Sequence, residues 1–213
     1  MVRPTQPPLV GQLRDQHDVI EPVVGSFFHW VREGQGSDPA VRQTYVEFFR
    51  EWVEGFHHEL EEQLFDALAD HAEIPMERGP VMVLRREHEA IRSLVSALES
   101  SQPGDATARL GVKLAGVLWM HIDKENSVML PEAGERLVRS GGGDLMGRPA
   151  TVAEERLRER VSVCVERWAP RDDDDLYRGD GCMACDAYGA ECGGIEKEWW
   201  NSWEWDYHNS YQG

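Results

Sequence analysis

Apolar residues recur along this 213-residue chain at helical spacing, and the repeats divide it into five segments. Side chains at positions i, i+3, i+4 and i+7 share one face of an α-helix, and an apolar face of this kind packs inward. The first four segments are long and their connections are short. This pattern predicts an all-α fold, in which an up-down antiparallel four-helix bundle is followed by an additional C-terminal helix. The predicted helices span about residues 9–32, 39–71, 80–100, 106–130 and 152–168.

Turn-forming residues and a change of composition mark the boundaries of the predicted domains. Three glycines at 141–143 follow the fourth segment, and an aspartate run begins at Asp172, after the fifth. We therefore expect the bundle at residues 1–140, a linker with the fifth helix at 141–170, and an irregular, acidic segment rich in Cys and Trp at 171–213.

Polar residues interrupt the apolar face of every predicted bundle helix. Each of the four helices carries one histidine there, and two of them carry a glutamate one turn later, on the same side. A single buried histidine is usually a hydrogen-bonded core residue, but burying unpaired carboxylates costs several kcal/mol each. A metal centre removes this cost, because it neutralises the carboxylates and uses the imidazoles. The predicted metal ligands are His17, His57, Glu61, His88, His121 and Glu125.

The other histidines of the predicted bundle lie off the apolar faces. His58 and Glu62 repeat the four-residue spacing of His57 and Glu61 but are displaced by one residue, so we expect them behind the ligands or at the surface. His29 and His71 are expected to be solvated.

The proposed ligand set restricts the choice of metal. Four imidazoles and two carboxylates are too many for one structural zinc ion, and they are too rich in nitrogen for calcium or magnesium. They suit a pair of first-row transition ions about 3.5–4 Å apart, bridged by carboxylates. Iron is favoured, with manganese as the alternative.

The motifs around these residues resemble the hemerythrin-like, or HHE cation-binding, domain family over about residues 9–135. The resemblance implies a four-helix bundle around a non-haem di-iron centre that meets O₂ or related small molecules. It also implies that the four histidines are terminal ligands and that Glu61 and Glu125 bridge the irons. The motifs are the helix of His17, HHELEEQLF with His57 and Glu61, RREHEAIR with His88, and HIDKENSVMLPEA with His121 and Glu125.

Two departures from the oxygen-carrying members of the family affect the expected chemistry. Those proteins have a second histidine on the third helix, one turn before the first, where this chain has Leu84; Arg92 lies one turn after His88. Their fourth helix uses a five-residue His-to-Asp spacing, whereas His121 and Glu125 are four residues apart. One imidazole fewer would leave a coordination position open, which argues against a reversible carrier and favours redox chemistry or sensing.

A ferritin-like di-iron bundle is the rival architecture, and it requires two Glu-x-x-His motifs. Glu54 and His57 form one such motif, but neither His88 nor His121 has a glutamate three residues before it. The sequence therefore favours the hemerythrin-like arrangement.

These observations lead us to expect a non-haem di-iron protein that reacts with O₂, peroxide or nitric oxide, as an oxidoreductase of oxidase, oxygenase or peroxidase type. The alternative is a non-catalytic sensor of oxygen or iron whose C-terminal segment docks when metal is bound. A metal-free interaction bundle is the third hypothesis. Steady-state consumption of O₂ or peroxide distinguishes an enzyme from a sensor.

Charge and hydropathy exclude several classes of partner. The net charge of −17 argues against a nucleic-acid or anionic-membrane partner, because phosphate contacts need clustered Lys and Arg. No apolar run has the length of a membrane span, and the first ten residues lack the apolar core of a signal peptide. We therefore expect a cytoplasmic protein.

The C-terminal segment carries a second set of candidate ligands. Cys182, Cys185 and Cys192, with His208, could form a Cys₃His zinc site. A redox-active or disulfide pair is an equal alternative. A third is an acidic extension whose aromatic residues dock on the bundle or on a protein or peptide partner, since the last fifteen residues hold four Trp and two Tyr. A substrate for modification is the fourth.

Overall fold

The computed structural model describes residues 6–34 and 36–171, and within these ranges every regular element is helical, which confirms the all-α prediction. Residues 172–213, with Cys182, Cys185, Cys192 and His208, lie outside the described residues. The helices of the described part are α1 (Pro8–Glu33), α2 (Pro39–Glu47), α3 (His58–Ala72), α4 (Gly79–Ser100), α5 (Asp105–Lys124), α6 (Leu130–Ser140) and α7 (Val152–Arg167).

Two π-helical segments join consecutive α-helices. The first, Phe48–His57, connects α2 to α3, and the second, Glu125–Met129, connects α5 to α6. Residues 39–72 and 105–140 are therefore two uninterrupted helical stretches. A π-helix closes its hydrogen bonds five residues apart rather than four, so each π segment changes which side chains face the core after it.

The fourth predicted helix was too short. The prediction ends this helix at about residue 130, but the chain stays helical to Ser140. Pro131 lies in the first turn of α6, directly after the second π segment. The N–H groups of the first turn have no acceptor within their own helix, so the missing N–H of Pro131 removes no hydrogen bond from α6. Gly141, with a φ of 95°, ends α6, and the N–H of Gly142 donates to the carbonyl of Leu137 at 2.8 Å.

The described helices share one core. Helix α5 packs along both α1 and α4, α6 packs along α3, and α7 lies against α1, α2 and the first π segment. Aromatic residues from α1, α2 and the first π segment fill the core beside α7, where Tyr45 lies between Phe27 and Trp30. The polar residues of the candidate site lie on α1, α3, α4, α5 and the two π segments.

Helix α7 begins at a reciprocal cap. The side chain of Thr151 accepts a hydrogen bond from the N–H of Glu154, and the carboxylate of Glu154 accepts one from the N–H of Thr151. Arg148 pairs with Glu154 and Glu59 and lies over the ring of Phe56, at 4.3 Å from its centroid. The segment before α7 is therefore fixed to the helix that carries His57. None of the helices in the described ranges is sufficiently long and apolar to cross a bilayer.

Candidate metal centre

Six buried polar side chains converge where α1, the two π segments, α3, α4 and α5 meet. Each is at most 2% exposed. They are the six residues that the sequence predicts as metal ligands. Their burial and proximity are observed, and their role as ligands stays a prediction. These residues are His17, His57, Glu61, His88, His121 and Glu125.

Glu61 on α3 lies at the centre of the cluster and directs its two oxygens in different directions. Its Oε1 lies 2.8 Å from Nε2 of His57 and 3.9 Å from Nε2 of His17. Its Oε2 lies 2.9 Å from Nε2 of His88 and 3.8 Å from Nε2 of His121. A carboxylate placed in this way can give one oxygen to each of two metal ions.

Glu125, the first residue of the second π segment, also lies between two imidazoles. Its Oε2 is 3.2 Å from Nε2 of His17 and 3.4 Å from Nε2 of His121. Both candidate bridging carboxylates therefore lie beside the Nε2 atoms of His17 and His121.

The side chains divide into two groups that share Glu61. In each group, one potential ligand atom from every member lies within 4.8 Å of the corresponding atoms of the others. The first group, here the first site, is His17, His57, Glu61 and Glu125, and the second group, the second site, is His58, Glu61, His88 and His121.

The inclusion of His58 corrects the expectation that it lies behind the ligands or at the surface. Its side chain is buried, and its ring stacks on that of His88 with the centroids 3.9 Å apart and the planes at 12°. The physical reason is the π segment that ends at His57, because its wider turn brings two consecutive residues to the inner side. The adjacent pair His57-His58 is the sequence signal, but α-helical periodicity assigns its second member to another face.

Two histidines of the first site are held by amide side chains. The Nδ1–H of His17 donates to Oδ1 of Asn126 at 2.8 Å, and the Nδ1–H of His57 donates to Oε1 of Gln16 at 2.8 Å. A neutral imidazole that donates from Nδ1 has its lone pair on Nε2, and this is the form that binds a metal. The Nε2 atoms of the two rings lie 3.1 Å apart, so both rings are directed at the same small volume.

Carboxylates take the corresponding position beside two histidines of the second site. The Nδ1–H of His121 donates to Oε2 of Glu87 at 3.1 Å, and Lys124 contacts the other oxygen of the same carboxylate. The Nδ1 atom of His88 lies 3.6 Å from Oε1 of Glu62. Outer partners of this kind orient a histidine and fix its tautomer.

The electrostatics of the cluster follow from mixing imidazoles and carboxylates away from water. Burial alone lowers the pKa of His17, but the neighbouring Glu125 and Glu61 outweigh it and raise that pKa to about 10. Burial likewise opposes charge on His121, yet Glu125, Glu61 and Glu87 raise its pKa well above the usual value. Burial raises the pKa of Glu61, and the surrounding imidazoles lower it well below the usual value.

The remaining histidines were predicted to be solvated. His71 is exposed, but His29 is not, because its Nδ1 donates to the carbonyl of Ala169 at 2.8 Å and its Nε2 lies 3.1 Å from Glu33. His29 thus helps to attach the chain after α7 to α1.

The polar atoms that point into the cluster test whether a metal pair fits. Both oxygens of Glu61 and of Glu125 lack a hydrogen-bond partner among the described residues, as do Nε2 of His88, Nε2 of His121 and both ring nitrogens of His58. The contacts of Glu61 with the imidazoles are ion-pair contacts. Buried polar groups are normally hydrogen-bonded, so eight convergent unpartnered atoms require another partner. A donor set of imidazole nitrogens and carboxylate oxygens fits two first-row transition ions.

Comparison with known proteins supports this interpretation. No curated protein and no solved structure matches the chain. The family model described as the hemerythrin HHE cation binding domain matches residues 8–133, a segment that contains both groups of candidate ligands. The match covers more than half of the chain, and the protein therefore belongs to the hemerythrin HHE cation-binding domain family.

Proposed function

We propose that this protein holds a pair of iron ions between its helices and reacts there with O₂, peroxide or nitric oxide. The observation that carries the proposal is the position of Glu61, whose two oxygens contact histidines of both sites. A site for one metal ion would not require a carboxylate whose two oxygens lie beside different groups of histidines. The proposal takes the bundle to be up-down and antiparallel, as the short connections favour.

The donor residues divide between the two ions. His17 and His57 would hold the first ion, and His88 and His121 would hold the second. Glu61 would give one oxygen to each ion, and Glu125, whose Oε2 lies near Nε2 of both His17 and His121, would also be shared between them. Manganese shares the preference for mixed nitrogen and oxygen donors and is the alternative metal.

The protein itself positions, neutralises and encloses the metal pair. Amide oxygens from Gln16 and Asn126 fix the rings of His57 and His17, so their Nε2 lone pairs stay directed inward. A bound iron pair would supply the electrons for reduction of a small oxidant. The residues of the chain hold the carboxylates ionised and keep bulk water away.

The burial of the cluster restricts what can react there. All seven residues of the two sites are at most 3% exposed, so a reactant the size of O₂, nitric oxide or peroxide is favoured over a bulky organic molecule. The same enclosure suits a sensor that binds a diatomic molecule without consuming it further. Repeated consumption of the oxidant therefore distinguishes an enzyme from a sensor.

Anaerobic loading with Fe²⁺, followed by exposure to O₂, peroxide or nitric oxide, tests the proposal. We expect two irons per chain, a change in the visible spectrum on exposure, and repeated consumption of the oxidant when a reductant is present. Glu61→Gln should lose at least one iron, whereas Asp66→Asn, an exposed carboxylate on the same helix, should lose none. Failure of the unaltered protein to bind an iron pair would overturn the proposal, and a single binding event without turnover would support the sensor.

A further inference from the structure

Both ring nitrogens of His58 are buried without a hydrogen-bond partner among the described residues. Its side chain is 3% exposed. The rings of His57, His88 and His121 surround it, with centroids at 5.7, 3.9 and 5.5 Å. A histidine kept in the core only for packing normally donates or accepts a hydrogen bond, so packing alone does not account for this residue.

The position of His58 suits a metal ligand. Its two ring nitrogens are buried and have no hydrogen-bond partner among the described residues, so a lone pair of the imidazole is available to a metal ion. One of its ring nitrogens also lies within 4.8 Å of ligand atoms of Glu61, His88 and His121.

Helix α4, which carries His88, cannot supply a second imidazole to this site. One turn before His88, α4 carries Leu84, which is buried and has no ligand atom, and one turn after it Arg92 pairs with Glu54 instead. His58 comes from the adjacent stretch, where the π segment that ends at His57 directs both histidines inward.

We propose that His58 is a direct ligand of the second metal ion and replaces the second histidine that α4 lacks. This inference rests on the proposed function, since it requires a metal pair. The second ion then has three imidazoles, from His58, His88 and His121, together with the shared carboxylates. The cluster as a whole has five imidazoles, one more than the sequence predicts, and two of them, from His17 and His57, lie at the first ion.

A Co²⁺ titration of the metal-free protein, followed by visible absorption and calorimetry, tests this role. The unaltered protein should bind two ions. In His58→Phe, which keeps a ring to stack on His88, and in the smaller His58→Leu, we expect the affinity for one ion to fall by more than about 100-fold, beyond the roughly 10–100-fold cost of losing an outer partner. The other ion should bind as before. His58→Glu restores an oxygen donor and should recover the second ion.

His71→Phe is the matched control, because His71 lies on the same helix and is exposed. Circular dichroism of the metal-free variants checks that the helices are retained. His58→Leu should unfold at the same or a higher temperature than the unaltered protein without metal, since it removes two unpartnered buried nitrogens.

Two results would contradict the inference in distinguishable ways. If His58→Phe and His58→Leu bind two ions with unchanged affinity, the ring of His58 only packs against His88, and the proposed function stands without it. If the unaltered protein binds no pair of ions, the proposed function fails, and the inference fails with it.

Discussion

Glu87 on α4 accepts a hydrogen bond of 3.1 Å from Nδ1 of His121 on α5. The carboxylate is buried, and Lys124, one turn after His121, contacts its other oxygen. Burial raises the pKa of Glu87, but His121 and Lys124 outweigh it and lower that pKa, so the group is ionised. The hydrogen bond between Glu87 and His121 joins α4 to α5. It holds the imidazole of His121 with Nε2 directed towards Glu61 and Glu125.

Replacing Glu87 should weaken metal binding without removing a ligand. In Glu87→Gln the amide can still accept from His121, but the negative charge that increases the basicity of the ring is lost. We expect about a tenfold loss of affinity for one ion in Glu87→Gln and nearer a hundredfold loss in Glu87→Leu. A Co²⁺ titration measures both values.

Glu89→Gln is the control for this prediction, because Glu89 is an exposed carboxylate on the same helix and its replacement changes the net charge equally. Equal losses in Glu87→Gln and Glu89→Gln would mean that only the overall charge matters. The hydrogen bond to His121 would then have no influence on the metal.

Metal binding should release protons and become tighter as the pH rises. The pKa of His17 is raised from 6.5 to about 10 by Glu125 and Glu61, so the metal-free protein carries a proton there at neutral pH. A metal ion must displace that proton, which makes the apparent affinity rise by up to about tenfold per pH unit for each proton released, until the pH reaches the raised pKa. Calorimetry in two buffers of different ionisation enthalpy counts the protons.

The same shift sets the sign of a stability change in the metal-free protein. A raised pKa in the folded state contributes stability that is complete below 6.5 and is lost as the pH rises towards about 10. Without metal, the melting temperature should therefore fall over this range, and bound metal should reduce that fall. A metal affinity that does not change between about pH 6 and 8 would contradict the proton displacement.

Removal of the metal should destabilise the bundle measurably. A ligand that binds only the folded state at about 100 times its dissociation constant adds about 2.7 kcal/mol to the free energy of unfolding. For a domain of about 150–250 residues this corresponds to a rise of roughly 5–11 °C in melting temperature. Scanning calorimetry with and without Co²⁺ measures the rise, and Glu61→Gln should abolish most of it. An equal rise in Glu61→Gln would place the binding elsewhere in the chain.

Apolar periodicity predicts much of this fold because each bundle helix has one inward face. The apolar spacing predicts helices that begin at about residue 39 and that span about residues 152–168, and the structure has the start of α2 and the extent of α7 within about a residue of these positions. The polar interruptions of the same faces predict which side chains meet, since burial is what makes an imidazole or a carboxylate informative there.

The two π segments are what periodicity misses. An expectation built on 3.6 residues per turn places His58 off the inner face, and the wider turn of residues 48–57 brings it back. The predicted fourth helix also ends at about residue 130, whereas the chain continues from the second π segment into α6 as far as Ser140. The outer partners Gln16, Asn126 and Glu87 also escape prediction, because which polar neighbour reaches a histidine depends on how the helices are rotated against each other.

The close approach of α1 and α5 depends on Gly111. A Cβ atom added there would lie 2.5 Å from Cγ1 of Val31 and 3.1 Å from Cζ of Phe27, both in the core. Overpacking of this kind costs about 1–3 kcal/mol, whereas replacing a helical glycine by alanine gains up to about 1 kcal/mol. Gly111→Ala should therefore lower the free energy of unfolding by up to about 2 kcal/mol, measured by urea unfolding in metal-free buffer.

Gly55→Ala is the matched control, since Gly55 is exposed and an added Cβ would meet only the carbonyl oxygen of Arg50, at 3.6 Å. It should be neutral or stabilising by about 0.5–1 kcal/mol, the gain in helix propensity alone. The opposite signs expected for the two variants separate packing from propensity. If Gly111→Ala stabilises the protein as much as Gly55→Ala does, then α1 and α5 can separate without cost, and His17 and His121, which these two helices carry, are held together by something other than the packing at Gly111.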